Sequence, residues 1–173
     1  MASGFDTTAS GKYSHAVGYK NIASGDASFA EGGFVGKGYF NTASGEGSHA
    51  EGAQTTADGA NAHSEGFFTT ATGNGAHAEG GGTYALGTSS HAEGNDTSSL
   101  GQCSHAEGDA TIASGQSSHA EGFETTASGN TSHAEGYQTT ANGKYSHSEG
   151  FGTVAGGDES HAEGSSTCLL YTS

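Results

Sequence analysis

The 173-residue chain has no proline, no tryptophan and two cysteines. Its four cations are all lysines (Lys12, Lys20, Lys37 and Lys144), set against 19 acidic residues. Each scarcity excludes something. A phosphate backbone is held by clustered Lys and Arg, so nucleic acid is not an expected partner, nor is an anionic membrane surface. No apolar run approaches the length of a membrane-spanning helix, so direct membrane insertion is not expected. Cys103 and Cys168 lie far apart without metal-ligand spacing and set no disulfide framework. Hydrophobic residues make up 31%, much of it alanine, too little Leu, Ile, Val and Phe for an ordinary globular core.

Low hydrophobicity with a net charge of −15 reads as disorder by composition. Periodicity overrides that reading. The pentapeptide Ser-His-Ala-Glu-Gly recurs, with His15, His49, His63, His77, His91, His105, His119, His133, His147 and His161 at one position. From His49 on, the interval is 14 residues, and Phe29 fills the place 14 after His15. Two residues after each aromatic stands an acid: Glu31, Glu51, Glu65, Glu79, Glu93, Glu107, Glu121, Glu135, Glu149 and Glu163, with Val17 the exception. Between these units lies a second pentapeptide, Thr-Thr-Ala-Ser-Gly or a looser version, closed by a glycine running from Gly11 to Gly157.

A helix fits poorly with such frequent glycine. Short strands closed by glycines at positive φ fit well. The expected fold is all-β: a parallel β-solenoid of about eleven 14-residue coils with two short strands each, a rod on the order of 50 Å long at roughly 4.8 Å per coil. Residues 1–167 form one repeat domain and 168–173 a non-repeat tail. The array begins within ten residues of Met1 and shows no signal peptide; it also shows no polar caps, so it is expected to be part of a longer protein.

Alternation along a strand assigns the faces. Ser and Ala of the first pentapeptide, and the first Thr and Ala of the second, vary only among small residues and should fill a narrow interior. His and Glu should point outward, as should the second Thr column, which drifts through Ile22, Tyr84, Ser98, Ile112 and Val154. The His/Glu face hardly drifts. With so small an apolar interior, extra stability is expected from association through that face, His of one chain pairing with Glu of another. Such pairs would hold folded His pKa values above ~6.5.

The unit resembles the head repeats of trimeric autotransporter adhesins, the YadA-like left-handed parallel β-roll, in which Val and Ile stand where this chain has His and Glu. The Ser-His-Ala-Glu-Gly wording is also similar to the repeat region upstream of peptidase G2 autoproteolytic domains in bacterial and phage tail-type proteins; no such peptidase follows here. The resemblance implies a homotrimer, intertwined or side by side, with the His and Glu columns on its axis. It further implies a structural or adhesive role at a bacterial surface or virion, and a host-surface protein or glycan as receptor.

Other readings rank lower. Imidazole beside carboxylate suits a transition metal, but ten equivalent positions look architectural, so neither a metal nor another cofactor is expected. The triad residue types are present, yet adjacent Ser and His point to opposite faces, so catalysis is not expected. An ice-binding threonine face would need an unbroken column. The insertion 33–40 carries Phe34, Tyr39 and Phe40, a contact loop or, by preference, a segment packed on the rod.

Overall fold

In the computed structural model, which describes residues 1–33 and 38–170, the chain winds into a β-solenoid of two parallel 12-stranded sheets. One sheet is built from the longer strands, such as His105–Asp109 and His119–Phe123. The other is built from two-residue strands such as Thr126–Ala127. The two sheets alternate along the chain, so every strand but the outermost pairs with its counterparts one coil before and one coil after. The register is strict: His105 faces His119, Ala106 faces Ala120 and Glu107 faces Glu121. It survives the insertion, across which Phe29 pairs with His49 and Glu31 with Glu51.

There are about twelve turns rather than eleven, because both ends join the sheets. Ala2–Phe5 pairs with the strand His15–Tyr19, and Cys168–Leu169 pairs with Val154–Ala155. Met1-Ala2-Ser3-Gly4 therefore fills the last four positions of a degenerate first pentapeptide, with Gly4 opposite Gly18.

The interior is as small as the sequence implies. Columns of alanine from both sheets, Ala16 to Ala162 and Ala23 to Ala155, are fully enclosed, with Ser64, Ser99 and Ser148 substituting. Each methyl contributes only ~0.8 kcal/mol. What multiplies is the backbone ladder. His119 N donates to Ser132 O and Thr126 N to Thr139 O, both at 2.9 Å, and equivalent bonds recur in every coil. Each is worth about 0.5–1.5 kcal/mol net. The rod is held by number, one rung on the next.

The connectors do not use glycine as expected. The glycine after each Glu does take positive φ, as in Gly94 and Gly122. The glycine closing the second pentapeptide does not. The left-handed residue there is the second of the connector: Tyr13, Ala27, Ser89, Cys103, Ser117, Thr131 and Tyr145 all lie at φ 54–61°. Turn bonds compensate the strain: Ser118 N and Ser118 Oγ both reach Gly115 O, at 3.2 and 2.8 Å.

A feature not anticipated from the sequence lies beside the insertion. Asn21 and Asn41 occupy the inward Thr column and are fully buried. Asn21 Oδ1 accepts from Asn41 N (2.8 Å) and Asn41 Oδ1 from Thr55 N (3.0 Å). Their amides donate to Gly32 O and Gly52 O. This stacked pair ties the coils on either side of the extra residues. Tyr39 of the insertion packs edge-on against Phe67 and Phe68 at 5.6 and 5.4 Å between centroids. Phe40 stays exposed beside a shallow cleft of about 240 Å³ lined with Asp6, Thr8, Lys20 and Ile22. Phe34 lies outside the described residues.

Candidate functional site: a histidine and glutamate ladder

Strand pleat puts every His and Glu of the longer sheet on its outer face, and the strict register stacks like on like. From His49 to His161 the imidazoles form one continuous stack. Their centroids are 4.8–4.9 Å apart and neighbouring rings lie within 8° of parallel. Phe29 continues the stack between His15 and His49.

From His49 on, each His meets the Glu of the preceding coil. His63 Nε2 lies 3.2 Å from Glu51 Oε1, His105 3.3 Å from Glu93, and His147 3.1 Å from Glu135. The cross-ladder contact thus forms within one chain and needs no second copy. Not every rung closes a hydrogen bond. Nε2 of His49, His77, His91, His119 and His133 is shielded from solvent without a hydrogen-bond partner, although a carboxylate stands at 3.4–3.8 Å.

Within the single chain, two rungs shift in the direction opposite to that of a charged His–Glu pair. His91 is held below its usual pKa, first by burial and then by the neighbouring His105, against the pull of Glu93. His133 is lowered by burial, then by His119 and His147, against Glu135 and Glu121. At these two rungs burial, with the neighbouring imidazoles, outweighs the carboxylates. Glu79 is pushed up, chiefly by its hydrogen bond with Glu93 and next by burial, while Glu93 is held down by the same bond.

The sign for stability follows from linkage. A His with a depressed folded pKa contributes stability above its unfolded value of ~6.5. That stability is lost as pH falls through the folded value. The groups facing His91 are His77, His105, Glu79 and Glu93; those facing His133 are His119, His147, Glu121 and Glu135. Melting of chelator-treated protein should therefore show Tm rising from pH 5 to pH 7.5. A higher Tm at pH 5 would restore the charged-pair picture.

No triad assembles along this ladder. The Ser before each His points inward, as Ser118 does with its hydroxyl on Gly115 O. On the second sheet the outward threonine column is interrupted by Ile22, Tyr84, Ser98, Ile112 and Val154. Beside the His ladder, Phe123, Tyr137 and Phe151 form a second, exposed stack at 5.0 and 5.1 Å.

Residues 9–34, 78–102 and 120–146 match the family model described as the YadA head domain repeat (2 copies). The 14-residue coils, the small interior and the parallel sheets agree with that match. No curated protein matches the chain.

Proposed function

Taking the YadA-head character of the coils as premise, we propose that this chain is a structural and adhesive rod, without catalysis, that works as a homotrimer on the outside of a bacterial cell. The observation that carries the reading is the contrast between the two outer faces. One repeats His and Glu almost without change over the whole rod, while the other drifts among Thr, Ile, Tyr, Ser and Val. A face held constant over so many coils is explained by an equally regular partner, and a second and third copy of the same ladder is the simplest one. The His side chains remain about one-third exposed in the single chain. The stack Phe123–Tyr137–Phe151 flanks them with apolar surface. Three parallel rods would bury both. Three identical outer surfaces then multiply weak contacts to a host-surface protein or glycan.

Light scattering tests the assembly. The expected mass at pH 8 is three times 17.0 kDa. A monodisperse species of 17.0 kDa at both pH 8 and pH 5.5 overturns the trimer.

A further inference from the structure

We propose that the ladder binds divalent transition-metal cations of the zinc class, each ion held by a His–Glu–His set drawn from two successive coils. The ligand atoms of such sets lie within 4.8 Å of one another in a single chain, so the inference stands apart from the trimer. Two of the three stand at or within about half an ångström of the required separation. A tetrahedral ion with bonds of about 2.0–2.1 Å places its ligands ~3.3–3.4 Å apart. The Nε2-to-Oε1 contacts along the ladder are 3.1–3.8 Å. The second imidazole nitrogen lies within 4.8 Å of the other two ligand atoms and would tilt out of the stack to reach the ion.

The unsatisfied ring nitrogens are the second observation. Nε2 of His49, His91, His119 and His133 sits out of solvent, facing a carboxylate, without a hydrogen-bond partner. Leaving a buried polar atom unpaired is unfavourable, and a cation between the nitrogen and the carboxylate satisfies both. Stacked carboxylates on a chain of net charge −15 also gain from any cation placed among them. Imidazole with carboxylate is a donor set that zinc-class ions accept, with a remaining position for water.

The stoichiometry is constrained. Each imidazole offers one Nε2, so sets that share a His compete. At least three sets among the described residues share none: His49–Glu51–His63, His91–Glu93–His105 and His119–Glu121–His133.

The test is refolding of the full, chelator-stripped chain with Co²⁺. Bound metal is counted after dialysis, the visible absorption is recorded, and mass is measured on the same samples. Three or more Co²⁺ per chain is the expected result, with a d–d band of low-coordinate cobalt. Glu93→Gln should lower the count by about one. Glu51, Glu65, Glu93, Glu121 and Glu135→Gln together should weaken binding at least tenfold. Glu46, Glu124 and Glu159→Gln, off the ladder, should leave it unchanged. Circular dichroism on each variant checks the fold, and Glu93→Gln alone decides if the fivefold variant does not fold. Fewer than one Co²⁺ per chain overturns the inference, as does unchanged binding in Glu93→Gln, which would mark loose attachment to clustered imidazoles. A trimer without cobalt sinks this inference and leaves the trimer; a monomer with cobalt does the reverse.

Discussion

Gly115→Ala should unfold the rod or leave it destabilised by about 3–5 kcal/mol, at the severe end of single substitutions. A methyl built on Gly115 falls under 3.0 Å from both the carbonyl oxygen and carbon of Gly129, and 3.0 Å from Ser128 O. Those atoms are backbone of the next coil and cannot swing away. The same carbonyl region carries the rung bonds, with Gly115 N and Ser114 N both on Ala127 O. Relief would require prising two coils apart, which breaks the ladder that holds a core of alanines together. Gly81→Ala is the control. Only Asn95 Oδ1 comes near, at 3.5 Å, and φ there is ordinary. It should change stability by less than about 1 kcal/mol, in the direction of reduced unfolded-state entropy. Urea denaturation of both variants checks the pair. Equal midpoints would mean that the coils are spaced more loosely than the ladder requires.

That glycine shows how far the sequence could be read. Its recurrence marked a turn, and a turn is there. Yet the reason offered by local chemistry, positive φ, belongs to its neighbour Ser117. What excludes a side chain at residue 115 is a carbonyl 14 residues away, a contact that exists only once the coils are stacked. The inward columns were legible because smallness is visible residue by residue: Ala, Ser and Thr recur where the interior has no room. Asn21 and Asn41 were in plain view in the Thr column on either side of the insertion. Their role in bonding one coil to the next depends on a register that the sequence implies only indirectly. The His/Glu face was legible as a face. Its pairing within one chain was not, because periodicity places His beside Glu without fixing whose Glu it is. The sign of the His shifts turned on the same point. A single His–Glu pair raises an imidazole pKa, whereas at His91 and His133, each stacked between two other imidazoles, burial and the neighbouring rings lower it.

Ala120 gives the sharpest reading of the interior, since two substitutions there should move stability in opposite directions. Its side chain is fully enclosed and stacked between Ala106 and Ala134. Ala120→Leu adds three heavy atoms to a space sealed by alanine, serine and threonine. Ordinary overpacking costs about 1–3 kcal/mol. Here no flexible side chain borders the site to yield, so the loss should reach about 3 kcal/mol or more, with a less cooperative urea transition. Ala120→Ser should do the reverse. Wherever serine stands in this column its hydroxyl meets the threonine five residues on: Ser64 with Thr69 and Ser148 with Thr153, each at 2.8 Å. In five of the alanine coils Thr55, Thr83, Thr97, Thr111 and Thr125 keep a buried hydroxyl with no partner, whereas Thr139, after Ala134, donates to Glu135 O at 3.1 Å. A serine at residue 120 supplies one to Thr125, and a hydrogen bond between two buried hydroxyls is worth about 0.5–1.5 kcal/mol. Ala120→Ser should therefore be neutral to stabilising by about 1 kcal/mol. Destabilisation comparable to that of the leucine variant would show that Thr125 is already satisfied in solution and that the column tolerates no added polar atom.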